Sequence, residues 1–295
     1  MYEGIRSPVI HTPKTLSEFA TIAYRYPSAV IWAGGSYLMS QKEYYPSEIK
    51  DGIIDLGSLE ELKKITRNDR FVEIGAMVTA SQLLFAGKLV LPPVLQETLR
   101  TLASQIVRRQ ITVGGSLCVP DIRLALSTAL AVLDAMAEVK YYQGGKVSTH
   151  WIPIAKLYDK DGKLLLGSQK ALLTRIRIGL EYGDYQKFVC VEDPIRNTDE
   201  CVIVAFQANR SQNALSKVQF CITFPNKAFH ISKDLESKLS GLTLPIHPER
   251  VNTLSYELVA ELTKMHSGIS ELQLERGRRI FESFLHDLNA QSLSS

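Results

Sequence analysis

The chain has 295 residues, 45% of them hydrophobic and 22% charged, with a net charge of +3 from interspersed acidic and basic groups. That is the composition of a globular chain with an ample core, long enough for one large domain or two modest ones. It excludes a basic nucleic-acid surface and offers no run of about 20 apolar residues for a membrane span. The densest basic cluster, Arg276, Arg278 and Arg279, falls in a helical pattern and reads as a solvated face. The four cysteines, Cys118, Cys190, Cys201 and Cys221, lack C-x-x-C spacing, so reduced core thiols are expected rather than zinc or iron–sulfur ligands. The first ten residues carry no basic segment followed by an apolar run; no signal peptide and a cytoplasmic address are expected.

In chain order, Thr15 and Glu18 form the T-x-x-E pattern of a capping box, and Leu16, Phe19 and Ala23 continue at helical spacing to Pro27. Residues 29–32 read as a buried strand running into Gly34-Gly35. A strand over 52–56 precedes a second capping pattern, Ser58 with Glu61. Strands over 62–66 and 71–74 flank an Asn68-Asp69 turn, Thr79 and Gln82 open a helix, and Pro92-Pro93 open the next. After residues 111–115, an apolar helix spans about 124–133. A hairpin follows, strands 137–142 and 146–149 around Gly144-Gly145, and 172–178 reads as a strand. Beyond Gly183 the texture becomes that of an antiparallel sheet, with strands over 201–208 and 218–224, then two helices. The last presents the stripe Ile280, Phe281, Phe284, Leu285 and Leu288.

Several chemistries have no motif here. G-x-G-x-x-G, G-x-x-x-x-G-K-[ST] and H-E-x-x-H are absent, and the sequence around Ser36 lacks the second glycine of a nucleophile elbow. The six histidines are dispersed. No acid–base or nucleophilic centre is legible, and neither a catalytic residue nor a metal site is expected.

Two glycine pairs stand out: Ala33-Gly34-Gly35-Ser36 after Val30-Ile31-Trp32, and Thr112-Val113-Gly114-Gly115-Ser116. Glycine admits positive φ and removes the Cβ, so successive amides can converge on an anion, with a neighbouring hydroxyl as a further donor. Two such loops side by side would hold a pyrophosphate without a lysine. Taken singly, each reads more readily as a tight turn at a strand end; their pairing brings the two readings level.

The order and spacing of these motifs resemble the FAD-binding subunit of molybdenum hydroxylases, the group that includes xanthine dehydrogenase and carbon monoxide dehydrogenase. Ala33-Gly34-Gly35-Ser36-Tyr37-Leu38 resembles that family's A-G-G-[ST]-x-L, and residues 108–116 resemble its R-N-x-[AG]-T-[IV]-G-G-[NED]. Ile74-Gly75-Ala76-Met77-Val78-Thr79 is similar to its I-G-A-x-[VT]-[TS] turn, residues 129–135 to its L-L-A-L-D-A helix, Leu172-Leu173-Thr174-Arg175-Ile176 to its closing strand, and Tyr185-Gln186-Lys187-Phe188 to its [YF]-x-K segment.

The resemblance implies an α+β fold: a two-part FAD-binding domain over 1–182, with subdomains of about 1–57 and 58–182, then a smaller C-terminal domain of antiparallel sheet and helices over 183–295. It implies FAD as cofactor, held by Ala33, Gly34, Gly35, Ser36, Tyr37 and Leu38 of the first loop and Thr112, Gly114, Gly115 and Ser116 of the second, with Leu173 beside the flavin or its ribityl chain and Lys187 close by. The family's S-P-x-x-D places an Asp where this chain has Ala125, and Asp121 is the nearest substitute. Tyr37, Arg109 and Ile111 also depart from the pattern, as in a divergent purine-hydroxylase-type branch. The implied function is electron transfer, from iron–sulfur clusters to NAD+ or another acceptor, in a complex with an iron–sulfur subunit and a molybdopterin-binding subunit. The alternatives are an assembly subunit of the same complex with a degraded flavin site, and a free-standing flavoenzyme.

Overall fold

The computed structural model describes residues 8–40, 51–87, 91–119, 125–143, 146–166, 170–193 and 196–293. Asp121 and the Gly144-Gly145 turn lie outside the described residues. The described residues build three sheets in succession.

The first is small and parallel, in the order β1 (Ile10–His11), β3 (Ile53–Asp55), β2 (Val30–Trp32). Helix α1 (Leu16–Arg25) crosses it, and the short α2 (Ser36–Ser40) follows β2 directly. Phe19 and Ala23 of α1 are buried against Ile54, Leu56, Leu59 and Leu62. The Thr15 hydroxyl accepts the Glu18 amide at 3.1 Å, as the capping pattern requires, but the Glu18 carboxylate takes the Lys14 amide instead of that of Thr15. The second pattern, Ser58 with Glu61, makes no box. The segment breaks into two 3-10 turns, Leu56–Ser58 and Glu60–Lys63, and the Glu61 carboxylate accepts the Leu16 amide at 3.1 Å, tying the turn to α1.

The second sheet is antiparallel with five strands: β4 (Ile65–Arg67), β5 (Phe71–Gly75), β8 (Lys170–Gly179), β6 (Met136–Gln143) and β7 (Lys146–Pro153), in that spatial order. Asn68 makes the turn between β4 and β5 by accepting the amides of Arg70 and Phe71, each at 2.9 Å. Helices α3 (Ala80–Ala86), α4 (Pro93–Thr101), α5 (Gln105–Arg108), α6 (Val113–Leu117) and α7 (Ala125–Val132) occupy the connection from β5 to β6. Thr79 and Gln82 complete a reciprocal capping box on α3, and Pro93 fills the first position of α4, where no amide is needed. On the other face Arg177 stacks over Trp151 and Phe71 at 4.0 and 4.3 Å while pairing with Glu73.

The third sheet, β12 (Ala228–Ile231), β11 (Ala214–Phe224), β10 (Val202–Ser211) and β9 (Tyr185–Val191), is antiparallel. One face, through Phe188, Ile203, Ala205, Cys221 and Phe229, shares a core with Leu95 and Leu99 of α4 and Leu126 and Ala129 of α7. The other, through Val204, Phe206, Phe220 and Phe224, is covered by Leu254 and Leu258 of α9 (Pro248–Met265) and by Phe281, Phe284, Leu285 and Leu288 of α10 (Glu271–Leu293). Helix α8 (Lys233–Leu239) packs Leu235 and Leu239 into that second core. Burial on both faces explains why residues 202–206 of β10 read as an unbroken apolar run instead of an alternating one.

Two buried histidines sit beside this sheet. His230 on β12 and His266 after α9 share a 3.1 Å contact between Nδ1 and Nε2, and Glu261 Oε1 lies 3.2 Å from His230 Nε2. The adjoining cavity, about 420 Å³, is also lined by Asp159, Lys160, Lys233 and Asp234. Burial lowers the pKa of His230 against the pull of Glu261; burial and the neighbouring His230 lower that of His266, with Lys160 adding and Asp161 and Glu261 opposing. Both rings therefore take up a proton less readily in the fold than in the unfolded chain, whose ordinary value is about 6.5. Stability is full above that pH and declines as pH falls toward the folded values, by at most about 1.4 kcal/mol per pH unit for each histidine. The urea midpoint should drop between pH 7.5 and 5.5, and less steeply in His266→Gln. Equal slopes in the two proteins would remove the pair as the cause.

Candidate functional site

The first glycine turn is made by the end of β2. Gly35 has φ +69°, in the left-handed region, which reverses the chain into α2. A Cβ at Gly35 would lie 2.2 Å from the Trp32 ring, and one at Gly34 would lie 1.7 Å from the carbonyl oxygen of Gln110. The first turn thus presses against the segment leading into the second.

The second turn is built differently from the first. The shared pattern of strand followed by Gly-Gly-Ser is an expectation the structure narrows, because Thr112 makes a lone bridge to Thr79 and the chain is already helical from Val113. The cause is local. Thr112 caps α6, its hydroxyl accepting the Gly115 amide at 3.1 Å, and this favours a helix over an extended segment. Gly114 then brings α6 onto the end of β5, where a Cβ would lie 2.6 Å from the Ala76 Cβ. A Cβ on Gly115 would stand 3.5 Å from the Ala33 Cβ, a second point of contact between the turns.

Hydrogen bonding divides the labour between them. In the second turn Val113 donates to the Val78 carbonyl at 2.9 Å, Gly114 to that of Ala76 at 2.8 Å, and Ser116 to that of Thr112 at 2.9 Å. Together with the Gly115 bond, these commit four successive amides internally. In the first turn the amides of Gly34, Gly35 and Ser36 make no hydrogen bond to any described residue, while the Gly35 carbonyl accepts from Met39 at 2.9 Å. All three residues are partly exposed. A left-handed residue followed by helical ones is the backbone pattern that gathers consecutive amides into an anion-binding concavity. The unengaged amides thus lie in the first turn at Gly34, Gly35 and Ser36, while residues 113–116 of the second are tied to the fold.

The remaining candidates are placed as follows. Tyr37 and Leu38 lie in α2 and Ser116 in α6, all partly exposed. Leu173 on β8, opposite Val139, is 4% exposed and part of the core. Lys187 on β9 directs its ammonium to Asp287 of α10 at 3.8 Å. Ala125, at the start of α7, is buried in the core. Gln110, Ala76 and Trp32 help shape the site without having been singled out as site residues. Gln110 and Ala76 act through carbonyl oxygens, which leave no side-chain signature, and Trp32 read as an ordinary strand residue.

Residues 4–180 match the family described as the FAD binding domain in molybdopterin dehydrogenase. The chain belongs to that family. Its cofactor is FAD, and its setting is the flavoprotein subunit of molybdenum-hydroxylase-type oxidoreductases. The three unengaged amides of the first turn, packed against a second turn whose amides at residues 113–116 are all bonded, suit the diphosphate of such a cofactor. The solved quinoline 2-oxidoreductase from Pseudomonas putida 86 contains a similar chain, with TM-score 0.77 and 19% identity over 98% of this chain and 99% of that one. Carbon monoxide dehydrogenase from Oligotropha carboxidovorans gives TM-score 0.74 and 19% identity over 96% of each chain, and that from Hydrogenophaga pseudoflava gives 0.71 and 16%, also over 96% of each. At these identities the likeness is one of fold. No curated protein matches the chain. Among the described residues no cluster of three or more His, Cys, Asp or Glu could hold a metal, and no helix is long and apolar enough to cross a membrane.

Proposed function

We propose that this FAD-binding subunit relays electrons from an iron–sulfur subunit to an acceptor, NAD+ in a xanthine-dehydrogenase-like arrangement, while a molybdopterin-binding subunit carries out the substrate chemistry. Gly34, Gly35 and Ser36 hold the diphosphate through main-chain amides. Ala33, Thr112, Gly114, Gly115 and Ser116 fix the walls of the cleft, and Tyr37, Leu38, Asp121, Leu173 and Lys187 are the further candidates for cofactor contact. The flavin supplies the redox chemistry; the chain orients it, excludes solvent and sets its potential. The observation that carries this reading is the close apposition of the two turns, with amides left over at Gly34, Gly35 and Ser36 in the first and those of residues 113–116 committed in the second.

The test is FAD binding by the purified chain, followed by flavin absorbance and thermal unfolding. At free FAD one hundred times its Kd, a bound cofactor stabilises the fold by about 2.7 kcal/mol. Ser36→Pro separates the amide from the fold, because proline is tolerated at the first position of a helix but has no N–H to donate. Losing one amide–phosphate bond, worth about 1.5–3 kcal/mol, should weaken FAD binding roughly 10- to 100-fold. A colourless chain with an unmoved melting temperature would overturn the reading. If that chain still co-purified with iron–sulfur and molybdopterin subunits, the assembly role would take its place.

A further inference from the structure

The thiols of Cys190 and Cys201 are neighbours at the end of the third sheet. Strand β9 ends with Val191 paired to Val202, and Cys190 is paired to Ile203, so Cys201 stands diagonally across from Cys190 just before β10 begins. Glu192, at φ +69°, turns the chain out of β9 and presents its carbonyl to both side chains: Cys190 Sγ donates to it at 3.5 Å and Cys201 Sγ at 3.6 Å. Sharing one acceptor oxygen holds the two thiols side by side.

The connection between the strands is fastened to α10. Gln273 Nε2 donates to the carbonyls of Cys201 and Thr198 at 3.0 and 3.2 Å, and Arg276 reaches Glu192 at 3.3 Å. Cys201 is fully buried and Cys190 is partly exposed.

We propose that Cys190 and Cys201 form a peroxide-responsive dithiol, with Cys190 as the attacking thiol and Cys201 as the resolving one. The Cys190 thiolate attacks hydrogen peroxide, forming an S–O bond, breaking the O–O bond and releasing hydroxide, which leaves a sulfenic acid. The Cys201 sulfur then attacks that sulfur, its proton leaves with the displaced hydroxyl as water, and an S–S bond closes. Each peroxide accepts the two electrons that the thiol pair gives up.

Two contrasts support the assignment. The neighbouring Cys201 thiol lowers the Cys190 pKa against the burial that opposes it, while Cys190 and burial raise that of Cys201. Cys118 is pushed up to about 12 by burial, and Cys221 is also raised, so neither competes as a thiolate.

The full chain treated with dilute hydrogen peroxide, quenched and denatured should show two titratable thiols instead of four, together with a peptide cross-linked between Cys190 and Cys201. In Cys201→Ser the reaction should stop at a Cys190 sulfenic acid, trapped by dimedone as a covalent adduct. In Cys190→Ser all three remaining thiols should survive. Iodoacetamide at neutral pH should label Cys190 at least about 10-fold faster than Cys118 or Cys221. Four surviving thiols in the treated wild type, cross-linking to Cys118 or Cys221, or dimedone labelling of Cys201 in preference to Cys190 would each overturn the proposal. The wild-type measurement needs no variant to fold and no flavin to be bound.

Discussion

Alanine at position 34 should leave the protein unable to retain FAD. The added methyl would sit 1.7 Å from the Gln110 carbonyl oxygen, roughly half a normal contact distance, so one of the two backbones must move. The second turn cannot readily yield, because Val113, Gly114, Gly115 and Ser116 are all hydrogen-bonded to their surroundings. The first turn has no such anchorage at Gly34, Gly35 and Ser36, so the displacement falls on the residues proposed to hold the diphosphate. A misplacement of about 1 Å at a set of converging charge-assisted bonds, each worth about 1.5–3 kcal/mol, predicts at least a 100-fold rise in the Kd for FAD. Gly115→Ala is the graded comparison. Its methyl would meet the Thr112 hydroxyl at 2.7 Å but the Ala33 Cβ at an ordinary 3.5 Å, so it perturbs the α6 cap and largely spares the contact between the turns. Fluorescence titration with FAD, with far-UV circular dichroism recorded alongside, ranks the two. An unchanged Kd in Gly34→Ala would show that the apposition does not hold the cofactor.

The parts of this architecture that the chain announces are those set by neighbours in sequence. Thr15, Asn68, Thr79 and Pro93 each act within a few residues of themselves, and each lies where its local pattern places it. Ser58 and Glu61 fail the same reasoning because the Glu61 carboxylate finds a better-placed donor 45 residues away, the amide of Leu16. The second glycine motif misleads for a related reason. Its apolar, β-branched lead-in, Ile111-Thr112-Val113, resembles a strand, yet among the described residues no strand extends alongside it beyond the bridge to Thr79, and the Thr112 cap decides for a helix. Strands β9 and β12 are nearly invisible to periodicity: the first mixes polar and apolar residues on both faces, and the second is four residues long. The glycine pairs mark the site, but what joins them is a main-chain oxygen of Gln110, and no substitution pattern at that residue could reveal it. The resemblance implies the cofactor; the difference between the two turns lies in main-chain hydrogen bonds, which leave no mark in the sequence.

The division expected at residue 182 rests on a change in sequence texture, and the packing is continuous across that point. Ile203, Ala205, Cys221 and Phe229 complete the core around α4 and α7, and the buried Gln207 side chain donates to the Val132 carbonyl from the same sheet. A perturbation on the far face of that sheet should therefore be felt by the whole molecule. Phe206 is the strongest test, being fully buried with ring contacts to Tyr185 at 5.8 Å, Phe220 at 6.4 Å and Phe284 at 5.5 Å. Truncation to alanine removes those contacts and leaves a cavity between the sheet and α10, costing about 3–5 kcal/mol. For a domain of this size that lowers the melting temperature by roughly 6–15 °C. The shape of the transition carries the structural information. With β9–β12 serving two cores at once, Phe206→Ala should unfold in one step, and Tyr and Trp fluorescence should fall together with helical ellipticity. An early transition that removes only α9 and α10 while leaving FAD bound would show that the C-terminal segment is a separable lobe, and that the flavin cleft stands without it.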